Sequence, residues 1–151
     1  MAERLLSEQL SIIGTIDPDS YSTQTTYSDT FDMRKWRRVM VITMSGSWAT
    51  AASMIGTMYG CATSTGAWTT LTGKTFTMTE VLLNTNGQTV INLSSAEMAS
   101  TAFRWARLGV VLSGATSVDC AAVILGDNGR YAEPFTPIAF GDLASVDQII
   151  A

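Results

Sequence analysis

The sequence predicts an all-β fold, a single jelly-roll-like β-sandwich, because several short segments with strand character are separated by turn residues. The clearest segment is 74–79, where threonines alternate with Phe76 and Met78. A period of two directs polar side chains to one face of a strand and apolar ones to the other. A chain of 151 residues is most simply one domain with its own core. The chain contains no histidine.

The predicted elements follow in chain order. Residues 36–44 form the first strong strand, which is apolar on both faces from Val39 to Ile42, as in a central strand. Asn86 and Gly87 indicate a tight turn, and Ser94 with Glu97 has the spacing of a capping box that starts a short helix ending near Thr101. Further strands are predicted over 53–61, 74–83, 88–93, 103–112 and 117–125, of which the last two form a hairpin.

Both ends of the chain are predicted to be extended arms around a sandwich domain at residues 27–131. Residues 1–26 carry an apolar stripe that fits a short helix, which ends at Asp17 and Pro18. Residues 132–151 contain two prolines and a small apolar end. The helical stripe consists of Leu5, Leu6, Leu10 and Ile13, and the apolar anchors of the arms are Leu5, Leu6 and Leu10 at one end and Ile149 and Ile150 at the other.

Composition excludes several partners. The net charge of −4 gives no general attraction for nucleic acid. No apolar run approaches the roughly 20 residues that a membrane helix needs, and the first residues lack the apolar core of a secretory signal.

Cys61 and Cys120 are far apart in apolar strand patterns. They are predicted to be buried free thiols, with a single bridge between them as the alternative.

The residues argue against catalysis. Without histidine, the chain alone cannot form a Ser-His-Asp or Cys-His site, and the commonest metal ligand is missing. A carboxylate pair for glycoside hydrolysis is the remaining catalytic option, but most acids lie in predicted turns or on solvent faces. Asp127, Asn128 and Gly129 lack the other ligands of a calcium loop. We therefore expect no catalytic residue, no metal and no cofactor.

The only cluster of charge is cationic and surrounds Trp36. Its members Arg34, Lys35, Arg37 and Arg38 are interpreted as a solvated strand entrance whose charges meet nearby acids such as Asp29 and Asp32. The alternatives are contact with an acidic protein surface and, less favoured, with nucleic acid. Arg104 and Arg107 are predicted on opposite faces of one strand, so at least one of them needs a carboxylate or an interface.

The four tryptophans divide into two pairs. Trp36 and Trp105 lie within strand patterns and are predicted in the core. Trp48 and Trp68 lie in or near predicted loops, where packing is the default interpretation. They are the better candidates for contact with a sugar or a protein.

The order of these features resembles capsid decoration (cement) proteins of tailed bacteriophages, which have jelly-roll-like folds. The resemblance covers about residues 27–131. It rests on loose motifs: 32–39, which opens a strand, Trp68 before a threonine-rich strand, Asn86-Gly87-Gln88, 103–108, and the closing 125–131. It implies a virion protein without catalytic residues that forms trimers and ties major capsid subunits together. No strongly marked capsid-contacting motif is present, so no binding residue is transferred from the family.

The leading hypothesis is therefore a structural protein on the outside of an assembled phage capsid, put together in the host cytoplasm. Its expected partners are the major capsid protein and further copies of itself, most simply as a homotrimer. The alternatives are another virion component, such as a tail, fibre or head–tail adaptor protein, and a carbohydrate-binding module. The residues expected to contact partners are Arg34, Lys35, Arg37, Trp48, Trp68 and the anchors Leu5, Leu6, Leu10, Ile149 and Ile150.

Overall fold

The computed structural model describes residues 9–48, 52–79, 86–114 and 117–129. Most of them lie in nine strands, with one short helix between the seventh and eighth strands. The strands are β1 (Leu10–Tyr21), β2 (Thr25–Tyr27), β3 (Phe31–Asp32), β4 (Trp36–Trp48), β5 (Ser53–Cys61), β6 (Thr69–Thr79), β7 (Gly87–Ser94), β8 (Trp105–Ser113) and β9 (Val118–Gly129), and the helix is α1 (Ser95–Ser100).

The strands form two antiparallel sheets that face each other. Sheet I has the order β1-β9-β4-β7, and sheet II has the order β2-β8-β5-β6. The short strand β3 pairs with β8 beyond the end of β2, so β2 and β3 together occupy one position of sheet II. Eight positions that alternate between two sheets in this order are the arrangement of a jelly roll, as the sequence predicted.

The core lies between the sheets and consists of every second side chain of each long strand. Sheet I contributes Val39, Val41 and Ile124, and sheet II contributes Met54, Met58 and Leu108, all of them almost fully buried. In β4 the alternating residues Met40 and Ile42 lie on the opposite, outer face. The double-sided apolar pattern of residues 39–42 therefore predicted a central strand correctly, and β9 and β7 flank it.

Trp36 is buried as predicted, with 7% of its surface exposed. Its ring packs over Gly126 of β9, where a Cβ atom would lie 2.6 Å from the indole. Trp105 was predicted in the core but is half-buried on the outer side of sheet II, because the residues that alternate with it, Ala106 and Leu108, face the core. Both cysteines are buried free thiols, as expected.

The N-terminal boundary of the sandwich lies earlier than predicted. Residues from Leu10 onward form β1, which pairs with β9, so the predicted helix is wrong over Leu10 and Ile13. The strand register shifts between Ile12 and Gly14, and this bulge turns both Ile13 and Ile16 toward the core although they are three residues apart. A spacing of three residues also occurs on one face of a helix. The predicted C-terminal arm, together with Leu5, Leu6, Ile149 and Ile150, lies outside the described residues.

Two further predictions about connections have opposite outcomes. The capping box is confirmed: the Ser94 hydroxyl accepts from the Glu97 N–H, and the Glu97 carboxylate accepts from the Ser94 N–H at the start of α1. The predicted hairpin of the last two strands is wrong. Strands β8 and β9 belong to different sheets, so the chain crosses the sandwich between them. Turn residues such as Gly114 indicate a reversal but not which sheet the next strand joins.

Candidate functional site: two outer faces and a cationic rim

The predicted cationic cluster lies at one end of sheet I, in the turn between β3 and β4 and on the first residues of β4. Arg34, Lys35 and Arg37 are exposed, and none of the described residues forms an ion pair with their side chains. Arg38 donates to the Asp127 carboxylate from Nε at 3.0 Å and from Nη2 at 2.6 Å. Asp29 and Asp32, the acids expected to neutralise the cluster, are engaged elsewhere, so three cations face solvent.

Asp32 instead pairs with Arg104. The Asp32 carboxylate is 4% exposed and accepts from Arg104 Nε at 3.0 Å and Nη2 at 2.5 Å, while the Arg34 backbone N–H donates to its other oxygen at 2.9 Å. Burial alone would raise the pKa of Asp32, but these hydrogen bonds and the Arg104 charge outweigh it and lower the pKa below its ordinary value. The pair joins β3 to the residue before β8.

The outer face of sheet I is apolar over adjacent register positions. Pairing places Met40 beside Leu125, and Ile42 between Val123 and Val90. Val90 is 55% exposed and Met44 is 38% exposed, while the others are half-buried. We call this surface the apolar face; its members are Leu10, Ile12, Met40, Ile42, Met44, Val90, Ala121, Val123 and Leu125. Leu10, predicted as an arm anchor, belongs to it, and Arg38 and Asp127 lie at its border.

The other end of sheet I carries carboxylates beside a shallow pocket of about 470 Å³, lined among others by Pro18, Asp19, Met44, Asp119 and Cys120. Burial, followed by the nearby Asp119 charge, raises the pKa of the Cys120 thiol to about 11. The thiol therefore stays protonated at neutral pH and is a poor nucleophile or metal ligand there. Within the described ranges, no group of three or more His, Cys, Asp or Glu side chains could hold a metal ion.

The outer face of sheet II carries an aromatic cluster around Arg107. The Arg107 guanidinium carbon lies 3.8 Å from the Tyr27 ring centroid and 4.3 Å from that of Trp68. Tyr59 meets Tyr27 edge to face at 6.1 Å between centroids. We call these four residues the Arg107 cluster. Sequence reasoning had singled out Trp68 and Arg107 separately, but their contact depends on the loop between β5 and β6.

Trp48 and Trp68, the two tryptophans considered for sugar contact, do not share a face. Trp48 ends β4 in sheet I, is half-buried, and donates from its indole N–H to the Ser45 hydroxyl at 3.1 Å. Trp68 lies before β6 of sheet II with its ring against Arg107. A coplanar platform for a saccharide is therefore not formed by this pair. No helix in the described part of the chain is long and apolar enough to cross a membrane.

The strand order defines the class: the described chain forms a jelly-roll β-sandwich with two distinct outer faces. No protein-family model matches the chain, and no curated protein matches it in sequence. Solved structures of similar shape include chains from viruses and from a prophage-derived protein. A chain of infectious bursal disease virus, Gx strain, is 13% identical, with 82% of this chain and 33% of that chain covered and a TM-score of 0.48.

Two further similar structures are closer to this chain in length. The SPBc2 prophage-derived protein YomS is 16% identical with a TM-score of 0.41, and the match covers 73% of this chain and 94% of that one. The chain of broad bean stain virus is 9% identical with a TM-score of 0.39, and the match covers 85% and 92%. This chain spans 33% of the bursal disease virus chain it matches.

Proposed function

We propose that the protein is a structural, non-catalytic component of a phage virion that binds the outside of an assembled capsid. It stabilises the shell by bridging major capsid subunits, and it is assembled onto the particle in the host cytoplasm. The observation that carries this proposal is the apolar face of sheet I together with the exposed cations at one end of that sheet. We call these cations, Arg34, Lys35 and Arg37, the cationic rim. The family resemblance of residues 27–131 points to the same role.

The apolar face has the composition of a protein interface. Water-exposed faces of antiparallel sheets are normally polar, whereas this face carries apolar side chains in all four strands, with Gln88 and Asn92 beside Val90 in β7. Monomeric soluble proteins rarely expose contiguous apolar patches beyond a few hundred Å². An apolar centre with a charged border is the usual anatomy of such interfaces. The partner surface on the capsid should therefore be apolar at its centre.

The cationic rim defines the second property of the partner. Arg34, Lys35 and Arg37 need carboxylates opposite them, and each charge-assisted hydrogen bond contributes roughly 1.5–3 kcal/mol when it is partly buried. Because the three side chains are exposed and form no ion pair with the described residues, binding to the capsid does not have to break an existing one. We expect acidic residues of the major capsid protein to meet this rim.

Oligomerisation and the chain ends strengthen the same contact. A homotrimer that engages several capsid subunits gains avidity from modest affinity at each site, and binding only the assembled shell stabilises it by mass action. The anchors Leu5, Leu6, Ile149 and Ile150 lie in the segments before β1 and after β9. We propose that these segments lie on neighbouring subunits. Deleting residues 1–8 and 132–151, which leaves β1 intact, should reduce shell occupancy, and unchanged occupancy would refute the role of the segments.

The direct test measures binding to shells purified without this protein, by co-sedimentation at several protein concentrations. Val90→Lys places a charge in the apolar face, and combined Arg34, Lys35 and Arg37→Ala removes the rim. Each should weaken binding at least about tenfold, and the parent's binding should weaken with salt because the rim contacts are ionic. Thr77→Lys, at an exposed strand position on sheet II, is the control for Val90→Lys.

Melting temperatures of these variants should stay close to that of the parent, because the replaced side chains face solvent. If Val90→Lys binds shells as tightly as the parent, the apolar face is not the docking surface. If undecorated shells withstand heat and low ionic strength as well as decorated ones, the stabilising role itself is refuted.

A further inference from the structure

Arg107 is the one arginine of β8, and its charge is not neutralised within the described structure. No carboxylate or other hydrogen-bond acceptor of the described residues contacts it, and its Nε atom is buried without a partner. A buried donor without a partner costs about 1–3 kcal/mol. Arg34, Lys35 and Arg37 also lack ion pairs, but they are exposed to water. Arg107 therefore differs from them because it is partly desolvated.

The Arg107 cluster holds this guanidinium in place. Tyr27 and Trp68 contact it with their ring faces, and Tyr59 lies directly opposite Arg107 in the register of β5 and β8. Gly109 leaves the space that the two tyrosines fill, because a Cβ atom there would lie 2.7 Å from Tyr59 and 2.9 Å from Tyr27. A guanidinium fixed between rings loses little freedom when it binds an anion, which favours affinity.

The ligand that fits this cluster is a carboxylate from a protein. The guanidinium occupies one face of the Tyr27 ring and one face of the Trp68 ring, and its charge favours an anion over a neutral saccharide. The remaining N–H groups of Arg107 match the two oxygens of a carboxylate. Tyrosine, tryptophan and arginine are also the residues that dominate binding energy in protein interfaces.

Among the acids that the structure describes, one carboxylate has no partner of its own. Asp32, Asp127 and Glu97 form ion pairs with arginine or lysine. Asp29, Asp17 and Asp19 accept hydrogen bonds from nearby groups. Asp119, which is exposed near the start of β9, has no hydrogen bond or ion pair with the described residues.

The surroundings of Asp119 complement the Arg107 cluster. Pro18 lines the pocket beside it, and Asp19 adds a second carboxylate there. This acidic surface complements the positive charge of the Arg107 cluster. The two lie on opposite outer faces, since Asp119 belongs to sheet I and Arg107 to sheet II.

We propose that the Arg107 cluster receives the Asp119 carboxylate of a second copy of this chain. Because the two surfaces differ, the contact is head-to-tail, and it generates a closed ring when the rotation between copies allows closure. The contact assigns residues to the self-association proposed above but does not depend on capsid binding. It is measured on the purified protein alone, so its failure would leave the shell-binding proposal intact.

The test is a charge swap in the full chain, with oligomeric state measured by native mass spectrometry and sedimentation across micromolar concentrations. Arg107→Glu and Asp119→Lys should each weaken association at least about tenfold. The double variant should regain association, because the two exchanged side chains again carry opposite charges where the copies meet. Asp17→Lys makes the same change of charge as Asp119→Lys at an exposed carboxylate outside the two surfaces, and it should associate like the parent.

Arg107→Gln keeps a polar side chain of similar length and is the second variant, in case Arg107→Glu does not fold. It should remain folded by circular dichroism and still associate more weakly. A parent that is monomeric throughout the concentration range overturns the proposal. Unchanged association in folded Arg107→Gln, or a double variant as weak as the single ones, also overturns it.

Discussion

Arg104 and Arg107 lie three residues apart in the chain, in opposite electrostatic surroundings. Arg104 donates two hydrogen bonds to the buried Asp32 carboxylate and holds β3 against the start of β8. Arg107 lies against the rings of Tyr27 and Trp68, and its Nε atom has no acceptor among the described residues. One arginine completes the fold, while the other carries a charge that the described fold does not use.

The difference separates stability from recognition in neighbouring positions. An internal ion pair with a buried carboxylate is costly to break, because the remaining charge is left in a poorly solvated place. A stacked arginine without a carboxylate adds little to stability but is prepared to bind an anion. Mutations that break the Arg104 ion pair should therefore reduce the stability of the fold. Mutations of Arg107 should weaken association and change stability little.

The largest effect is expected for Asp32→Ala. It removes the acceptor of three hydrogen bonds, from two Arg104 nitrogens and the Arg34 backbone N–H, and each bond to a charged group contributes roughly 1.5–3 kcal/mol. Because the released arginine is partly exposed, we expect a net loss of about 2–4 kcal/mol in the free energy of unfolding. Urea denaturation measures it. Asp17→Ala, at an exposed carboxylate, is the control and should change stability by less than about 0.5 kcal/mol.

The pH dependence of stability should be smaller and should reflect the same carboxylate. The Asp32 pKa is lowered in the folded state, so its contribution is complete above the ordinary pKa of about 3.9 and is lost as pH falls through the lower folded value. Hydrogen bonds from Lys74 and Ser94 lower the pKa of Glu97 in the same direction. Melting temperatures between pH 5 and pH 2 should fall less steeply for Asp32→Asn than for the parent. Equal slopes would show that Asp32 does not titrate differently on folding.

The smallest effect on folding is expected for Arg107→Met. The replacement loses cation–π contacts with Tyr27 and Trp68, each worth about 0.5–1 kcal/mol, but it removes a buried donor without a partner. The two terms oppose each other, so the free energy of unfolding should change by less than about 1 kcal/mol. Denaturation of dilute, monomeric protein measures this value. A loss as large as that of Asp32→Ala would mean that Arg107 is structural after all.

Periodicity predicted the interior of the sandwich well. Phe76 and Met78 face inward and the threonines outward along β6, and the strand over 53–61 has the predicted bounds. The Ser94–Glu97 capping box formed because all its partners lie within four residues. Such features depend on local geometry, which the sequence carries directly.

Long-range and irregular features were predicted less well. Leu10 and Ile13, whose spacing of three residues fits a helix, lie on opposite faces of β1, and the crossing from β8 to β9 left no local signal. The neutralisation of the cationic cluster was only partly foreseen, since Arg38 pairs with Asp127, which is 89 residues away. The requirement that Arg104 or Arg107 needs a partner was predicted from their placement, but Asp32 could be chosen only with the structure.

The position of β9 in sheet I has a consequence for the order of events during synthesis. Strand β1 pairs only with β9, and β9 also flanks β4, so this sheet cannot be completed until nearly all of the described chain has left the ribosome. The adjacent strands β5 and β6 can pair much earlier. Until β9 has been synthesised, β1 and one edge of β4 expose unpaired backbone groups. The ribosome adds about 5–20 residues per second, which sets how long these edges stay unpaired. The nascent chain therefore passes through a half-built stage in which sheet II can precede sheet I.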